Sequence, residues 1–157
     1  MLVYHGSDME IKTPDAFHSR VNLDFGKGFY TTPLKKQAMK WCDRFVRRGK
    51  NGIVSMYEMD EQIFENVKVL KFDSYSEEWL DFILSCRSGK DLSDYEVVIG
   101  GVANDKVFNT VELFFEGLID KNEALKRLRY EEPNLQICLR KQEVIDRFLK
   151  FERSERV

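Results

Sequence analysis

Apolar and polar positions change their spacing several times along the chain, and each change marks an element. Residues 2–5, "LVYH", form a short apolar run that predicts a first strand, ended by the turn-prone "GSD". "GIVSMYEMD" and "VKVLKFD" alternate with the period of two that puts one strand face in a core and the other in water. "LKFERSERV" at the end reads as an amphipathic or edge strand. The runs within "YEVVIGGVAND" and "LQICL" are continuously apolar, which predicts buried strands. Helical spacing governs "PLKKQAMKWCDRFVRRGK", where Leu34, Ala38, Trp41, Cys42 and Phe45 share a face. Thr32 is its expected N-cap and Pro33 its first helical residue; Arg44, Arg47 and Arg48 sit where a helix C-terminus favours cations, ahead of Gly49.

Further helices are expected in three places. "SEEWLDFILSCRSG" opens on a serine and two acids, aligns Trp79, Phe82, Ile83 and Cys86, and stops at Gly89. "TVELFFEGLIDKNEALKRLRY" reads as two pieces broken near Gly117, the second ended by Pro133. "KQEVIDRF" is the last. Residues 8–28 show neither period and predict an ordered loop, a length of loop that in small domains is often functional. Short strands scattered between helices argue for an α+β fold over a doubly wound sheet.

Composition narrows the class. The 157 residues are 43% hydrophobic and 33% charged, enough for both a core and a solvated surface in a single domain, 1–157. A net charge of -2 provides no global field for nucleic acid or anionic lipid, although a local basic patch remains open. Cys42, Cys86 and Cys138 are odd in number and widely spaced, which fits neither a disulfide framework nor a CxxC metal site and suggests reduced thiols in a cytoplasm. There is no leader-like start, and the longest apolar runs are too short to span a bilayer, so neither export nor membrane insertion is expected.

Two stretches hold candidate chemistry. His5 is one of only two histidines and is followed directly by Gly6; packing, metal binding and substrate holding are all open to it. "DFGKGFYTT", residues 24–32, flanks Lys27 with glycines that put backbone amides in the open, then leads through Phe29 and Tyr30 into a helix. It has neither the third glycine and preceding strand of a dinucleotide fingerprint nor the GKS or GKT of a P-loop. By itself it reads as a tight connection carrying two core aromatics.

Taken with "YHGS" and "LQICL", this segment resembles the ADP-ribosyltransferase superfamily in its diphtheria toxin and poly(ADP-ribose) polymerase branch. His5 and Gly6 match a His-Gly pair ending the first core strand, Gly28 and Tyr30 match a tyrosine-bearing segment entering a helix, and Gln136 falls where the branch carries a glutamate on a late strand. The order "YHGS", "DFGKGFYTT", "QAMKW", "YEVVIGGVANDKVF" and "LQICL" is similar to that of small bacterial members. The resemblance implies an NAD cleft between two small antiparallel sheets flanked by helices, with NAD as substrate and no metal. It implies that Gly6 holds the nicotinamide carboxamide, Tyr30 stacks on its ring and His5 hydrogen-bonds a ribose hydroxyl. Ser7, Phe29 and Thr31, adjoining these positions, complete the expected cofactor-binding set.

Gln136 departs from the pattern. A glutamine amide can bind a ribose hydroxyl but cannot take a proton as a general base. Asp105, in the turn after "VVIGGVAN", is the candidate helper carboxylate, with ordinary turn or N-cap chemistry as the alternative. Glu112 and Glu116, one helical turn apart, read as a solvated face. His18 reads as a loop histidine facing solvent, and "RFVRRGK" as helix-end charge compensation, with an anionic partner such as a nucleic acid acceptor or the pyrophosphate of NAD as its alternative. The expectation is therefore a cytoplasmic mono-ADP-ribosyltransferase that moves ADP-ribose to a protein or nucleic acid, of the toxin-like kind that pairs with a neutralising antitoxin. A catalytically silent module binding NAD, another nucleotide or a protein partner is the alternative that Gln136 keeps open, and an NAD glycohydrolase, with water as acceptor, is a third.

Overall fold

The computed structural model describes residues 1–19, 23–101, 105–129, 131 and 134–157. Among them are seven strands and six helices: β1 (Leu2–Ser7), β2 (Phe29–Thr31), α1 (Lys35–Val46), β3 (Ile53–Met59), α2 (Ile63–Asn66), β4 (Val69–Lys71), α3 (Glu77–Arg87), β5 (Val97–Gly100), α4 (Asp105–Phe115), α5 (Lys121–Leu128), β6 (Gln136–Leu139), α6 (Gln142–Phe148) and β7 (Leu149–Arg156). They form an α+β fold with two sheets, one ordered β1-β3-β7 and one β2-β6-β5-β4. The first is antiparallel throughout. The second is mixed rather than antiparallel, because β4 runs parallel to β5. The reason is the connection: α3 lies between the two strands in sequence and supplies the crossover that a parallel pair requires.

The period-two rule sorts the side chains of the second sheet into two cores. Phe29, Val97, Ile99, Ile137 and Leu139 face the first sheet, where they pack with Val3, Tyr57 and Met59 and with Val144, Ile145 and Phe148 of α6. Their alternates Val98 and Cys138 face the other way, against Trp79, Leu80 and Ile83 of α3, Val107 and Val111 of α4, and Ala124 and Leu128 of α5. Both faces of β5 and β6 are thus covered, which explains their unbroken apolar runs. Each fully buried aliphatic side chain, such as Leu80 or Ile83, contributes about 2 kcal/mol. All three cysteines are free and buried. Burial pushes the Cys86 and Cys138 thiols up to about 12, so they act as small apolar residues.

Several element ends differ from expectation, each for a local reason. β1 continues through Gly6 to Ser7, because Gly6 and Ser7 pair with Val54 and Ile53 instead of turning. Helix α1 starts at Lys35 rather than Pro33: Thr32 exchanges both backbone hydrogen bonds with Tyr4, and its Oγ1 accepts from the Leu34 amide. The face expected of α1 also divides. Ala38 and Cys42 are buried against Val54 and Tyr4, whereas Leu34 is exposed and Trp41 and Phe45 are half-buried. Ser76 caps α3 by accepting from the Trp79 amide, and Gly89 and Gly117 adopt positive φ (69° and 77°) just past α3 and α4, as expected. The four-residue α2 is too short to show a period. Asn104 and Pro133, expected in a turn and at a helix end, lie outside the described residues. No helix among the described residues is long and apolar enough to cross a membrane.

Candidate active site

The two sheets pack face to face and are joined through a backbone bridge. Tyr4 donates to the Thr32 carbonyl at 2.8 Å and Thr32 donates back at 2.9 Å, and among the described residues no other bridge joins β1 to the second sheet. Beside this bridge opens a cleft of about 530 Å³. Residues from β1 (His5, Gly6, Ser7), from β2 and its approach (Gly28, Phe29, Tyr30) and from the start of β6 (Gln136) line it together.

His5 is held from two sides. Its ring stacks on Phe29 with centroids 4.6 Å apart, and its Nδ1 lies 2.7 Å from the Tyr30 carbonyl. A carbonyl only accepts, so Nδ1 carries the proton and Nε2 is left as a lone-pair acceptor. Burial lowers the pKa of His5, the charge of Arg44 lowers it further, and the Tyr30 carbonyl opposes both. The imidazole at this wall is neutral near pH 7.

Gly6 has two distinct roles. A Cβ there would lie 2.2 Å from the Ala38 carbonyl oxygen, so the missing side chain is what lets α1 rest on β1. Backbone directions alternate along a strand, and Tyr4 turns its N–H and C=O away from β3 toward Thr32. Two residues on, Gly6 directs its own N–H and C=O to that same side, where the bridge has ended and the cleft begins.

Tyr30 is fixed by the turn before it. Its hydroxyl donates to the Gly26 carbonyl and accepts from the Phe25 amide at 3.1 Å. Burial pushes the phenol well above its usual range, which keeps it a donor. The glycines of "FGKG" do not present open amides: Gly26 donates to the Leu23 carbonyl at 2.9 Å and Gly28 to Ser19 Oγ at 3.1 Å. Gly26 sits at φ 77°, and a Cβ on Gly28 would come within 2.6 Å of Cys138 Sγ and 2.7 Å of the Leu139 carbonyl oxygen. Turn geometry and close packing on β6 therefore account for both glycines.

Gln136 is buried, and its Nε2 donates to the Gly101 carbonyl at 3.4 Å, a bond that leaves Oε1 as an acceptor. Ser7 lines the cleft but donates its hydroxyl to the Met9 carbonyl in a local turn. Thr31 is fully buried, donates to the Ile137 carbonyl at 3.0 Å and is not part of the cleft lining. It points to the inter-sheet face, as the alternation from Tyr30 requires. Asp105 opens α4, and its side chain lies outside the described residues.

Features that the sequence reading did not place in the site also line the cleft. Trp41 and Phe45 present aromatic faces from α1, and their i, i+4 spacing was the available signal. Arg87 sits at the opposite wall, where its Nε donates to Asp24 at 2.8 Å, Nη1 donates to Glu112, and its guanidinium lies 5.5 Å from the Phe108 ring centroid. Glu112 is thus an ion-pair partner rather than a freely solvated acid, while Glu116 is exposed. His18 lies at the rim, highly exposed and bonded to Asp15. No cluster of metal-ligating side chains occurs among the described residues.

A family model described as "Protein of unknown function (DUF3990)" matches residues 1–151, so the chain belongs to that family. Among the described residues, the match covers strands β1 to β6, the six helices, the first three residues of β7 and the cleft lining. No curated protein and no solved structure matches the chain.

Proposed function

We propose that this chain is an NAD-dependent mono-ADP-ribosyltransferase of the diphtheria toxin and poly(ADP-ribose) polymerase-like kind, acting in the cytoplasm and neutralised there by a cognate protein. One observation supports it above the rest: the pair His5 and Gly6, Tyr30 and Gln136, from three separate segments of the chain, line a single cleft at the junction of two small sheets. Their free groups suit the roles that the resemblance implies. Gly6 offers a paired donor and acceptor for a carboxamide, and His5 Nε2 and Gln136 Oε1 offer acceptors for ribose hydroxyls. Tyr30 and Trp41 offer π-faces to a pyridinium, worth about 0.5–2 kcal/mol. In the reaction the bond from nicotinamide nitrogen to ribose breaks, its electron pair leaves with neutral nicotinamide, and the acceptor's lone pair bonds the same ribose carbon while the acceptor releases its proton to solvent. Positive charge that develops on the ribose then lies among acceptors already in place.

A second reading, a silent NAD- or nucleotide-binding module, rests on Gln136, whose amide supplies no charge and accepts no proton. Incubation with labelled NAD and a cell lysate separates the readings. Transfer of label to a macromolecule with nicotinamide release is expected, and His5→Ala and Tyr30→Ala abolish both. Nicotinamide without transferred label identifies a glycohydrolase, and neither product identifies the silent module. Gln136→Glu raises turnover if the missing carboxylate limits the natural protein.

A further inference from the structure

Charge along this chain is strongly segregated. Between Lys35 and Lys50 there are seven cations and one anion, Asp43, a net +6 in a protein whose total is -2. Helix α1 carries most of them. At 100° per residue, Lys36, Lys40, Arg44 and Arg47 fall within a stripe about 80° wide that runs about 16 Å along the axis. All four are exposed. Lys36, Lys40 and Arg47 make no salt bridge with any described residue, whereas Lys35 and Lys50 at the margins are paired with Glu155 and Asp8. The stripe leads into the cleft, because Arg44 is also a lining residue, flanked there by Trp41 and Phe45. Charge compensation at a helix end explains cations in the last turn, but not Lys40 in the middle of α1, nor Lys36 in its first turn, where the positive pole of the helix disfavours a cation.

We propose that this stripe is the docking surface for a single-stranded nucleic acid, whose backbone lies along Lys36, Lys40, Arg44 and Arg47 and delivers one nucleotide to the cleft. The inference rests on the transferase reading and names the chemical class of its acceptor. A row of exposed lysine and arginine, of which Lys36, Lys40 and Arg47 make no salt bridge with any described residue, suits phosphates, which need charge and little else. A protein partner would instead call for an apolar centre depleted in lysine. Single strands are favoured over duplex because a stacked, paired base cannot enter a cleft of about 530 Å³ beside Trp41 and Phe45.

The test is fluorescence anisotropy with labelled single-stranded RNA and DNA oligonucleotides, repeated with Lys36→Gln/Lys40→Gln/Arg47→Gln, a variant whose three changes lie outside the cleft lining. Four phosphate contacts predict a log-log salt slope of about -2.8, a loss of about 50-fold in affinity between about 50 and 200 mM salt. The triple variant should retain its thermal midpoint, bind at least about tenfold more weakly at low salt and flatten the slope toward about -0.7. No binding at low salt, equal binding by the variant, tighter binding of the same sequence as a duplex, or tighter binding of a polyglutamate peptide would each overturn the proposal. The last would reassign the surface to an acidic protein. Nicotinamide release is followed in parallel. Release without oligonucleotide binding sinks this inference alone, and binding without release sinks the transferase reading while leaving the docking surface standing.

Discussion

The wall of the cleft built by β1 and β2 and the wall built by the 23–28 turn with α3 and α4 hold their side chains by different means. On the first, fixation comes from shape and neutral contacts: Gly6 seats α1, Phe29 stacks on His5, and the Tyr30 carbonyl anchors Nδ1. On the second it comes from charge, with Arg87 gathering Asp24 and Glu112 at side-chain exposures of 12%, 18% and 36%. A neutral wall holds its geometry wherever packing survives. A charged wall depends on each partner being present, since losing one leaves a desolvated charge behind.

The sharpest way to break the first wall is Gly6→Ala. With backbone oxygen 2.2 Å from the new Cβ, α1 must move, and we expect a loss of about 3 kcal/mol, or roughly 6–12 °C in Tm, by urea and thermal unfolding. An unchanged Tm would mean that α1 is not seated on β1 as described. The second wall yields to Arg87→Met, expected to destabilise by about 2–3 kcal/mol, with the Asp24→Asn/Arg87→Met pair losing about 1–2 kcal/mol less than the sum of the singles. Strict additivity would remove the contrast between the walls.

His5 sharpens the comparison through pH. The unfolded chain takes up its proton near pH 6.5, while the folded chain takes it up only at lower pH because burial and then Arg44 disfavour the imidazolium. Between those values the unfolded state binds more protons. The His5 contribution is therefore fully present above about pH 6.5 and is lost below it, at no more than about 1.4 kcal/mol per pH unit. His5→Gln should abolish that part of the slope when unfolding free energies at pH 7.5 and 5.5, about one unit either side, are compared. A steeper slope in the variant would contradict the neutral imidazole. The smallest effect is expected from Tyr30→Phe, about 1 kcal/mol for the lost bonds to Phe25 and Gly26, read by urea unfolding.

Much of this architecture is legible in the sequence where one period dominates. The unbroken runs of β5 and β6 announce burial on both faces, and Ser76 and Gly89 mark the ends of α3. His5, Gly6, Tyr30 and Gln136 were readable as a set only through resemblance, since nothing local brings residues 5 and 136 together. What stayed hidden depends on contacts made across the fold. Thr32 has the chemistry of an N-cap but is taken by Tyr4, and Trp41 and Phe45 share the spacing of core residues but face a cleft. Arg87 carries no signal at all, because its partners Asp24 and Glu112 come from distant segments. Gly28 looked like an open amide and proved to be a packing glycine against β6.

The contact between Gly6 and Ala38 carries a consequence for how such a protein can diversify. Because the Ala38 carbonyl of α1 lies on the strand that bears His5 with no room for even a methyl group between them, position 6 is fixed as glycine and the distance from helix to imidazole is fixed with it. The outer face of the same helix is under no such restraint. Its solvent-facing side chains can be exchanged one at a time, altering what the helix attracts, without moving the group that waits at the end of β1.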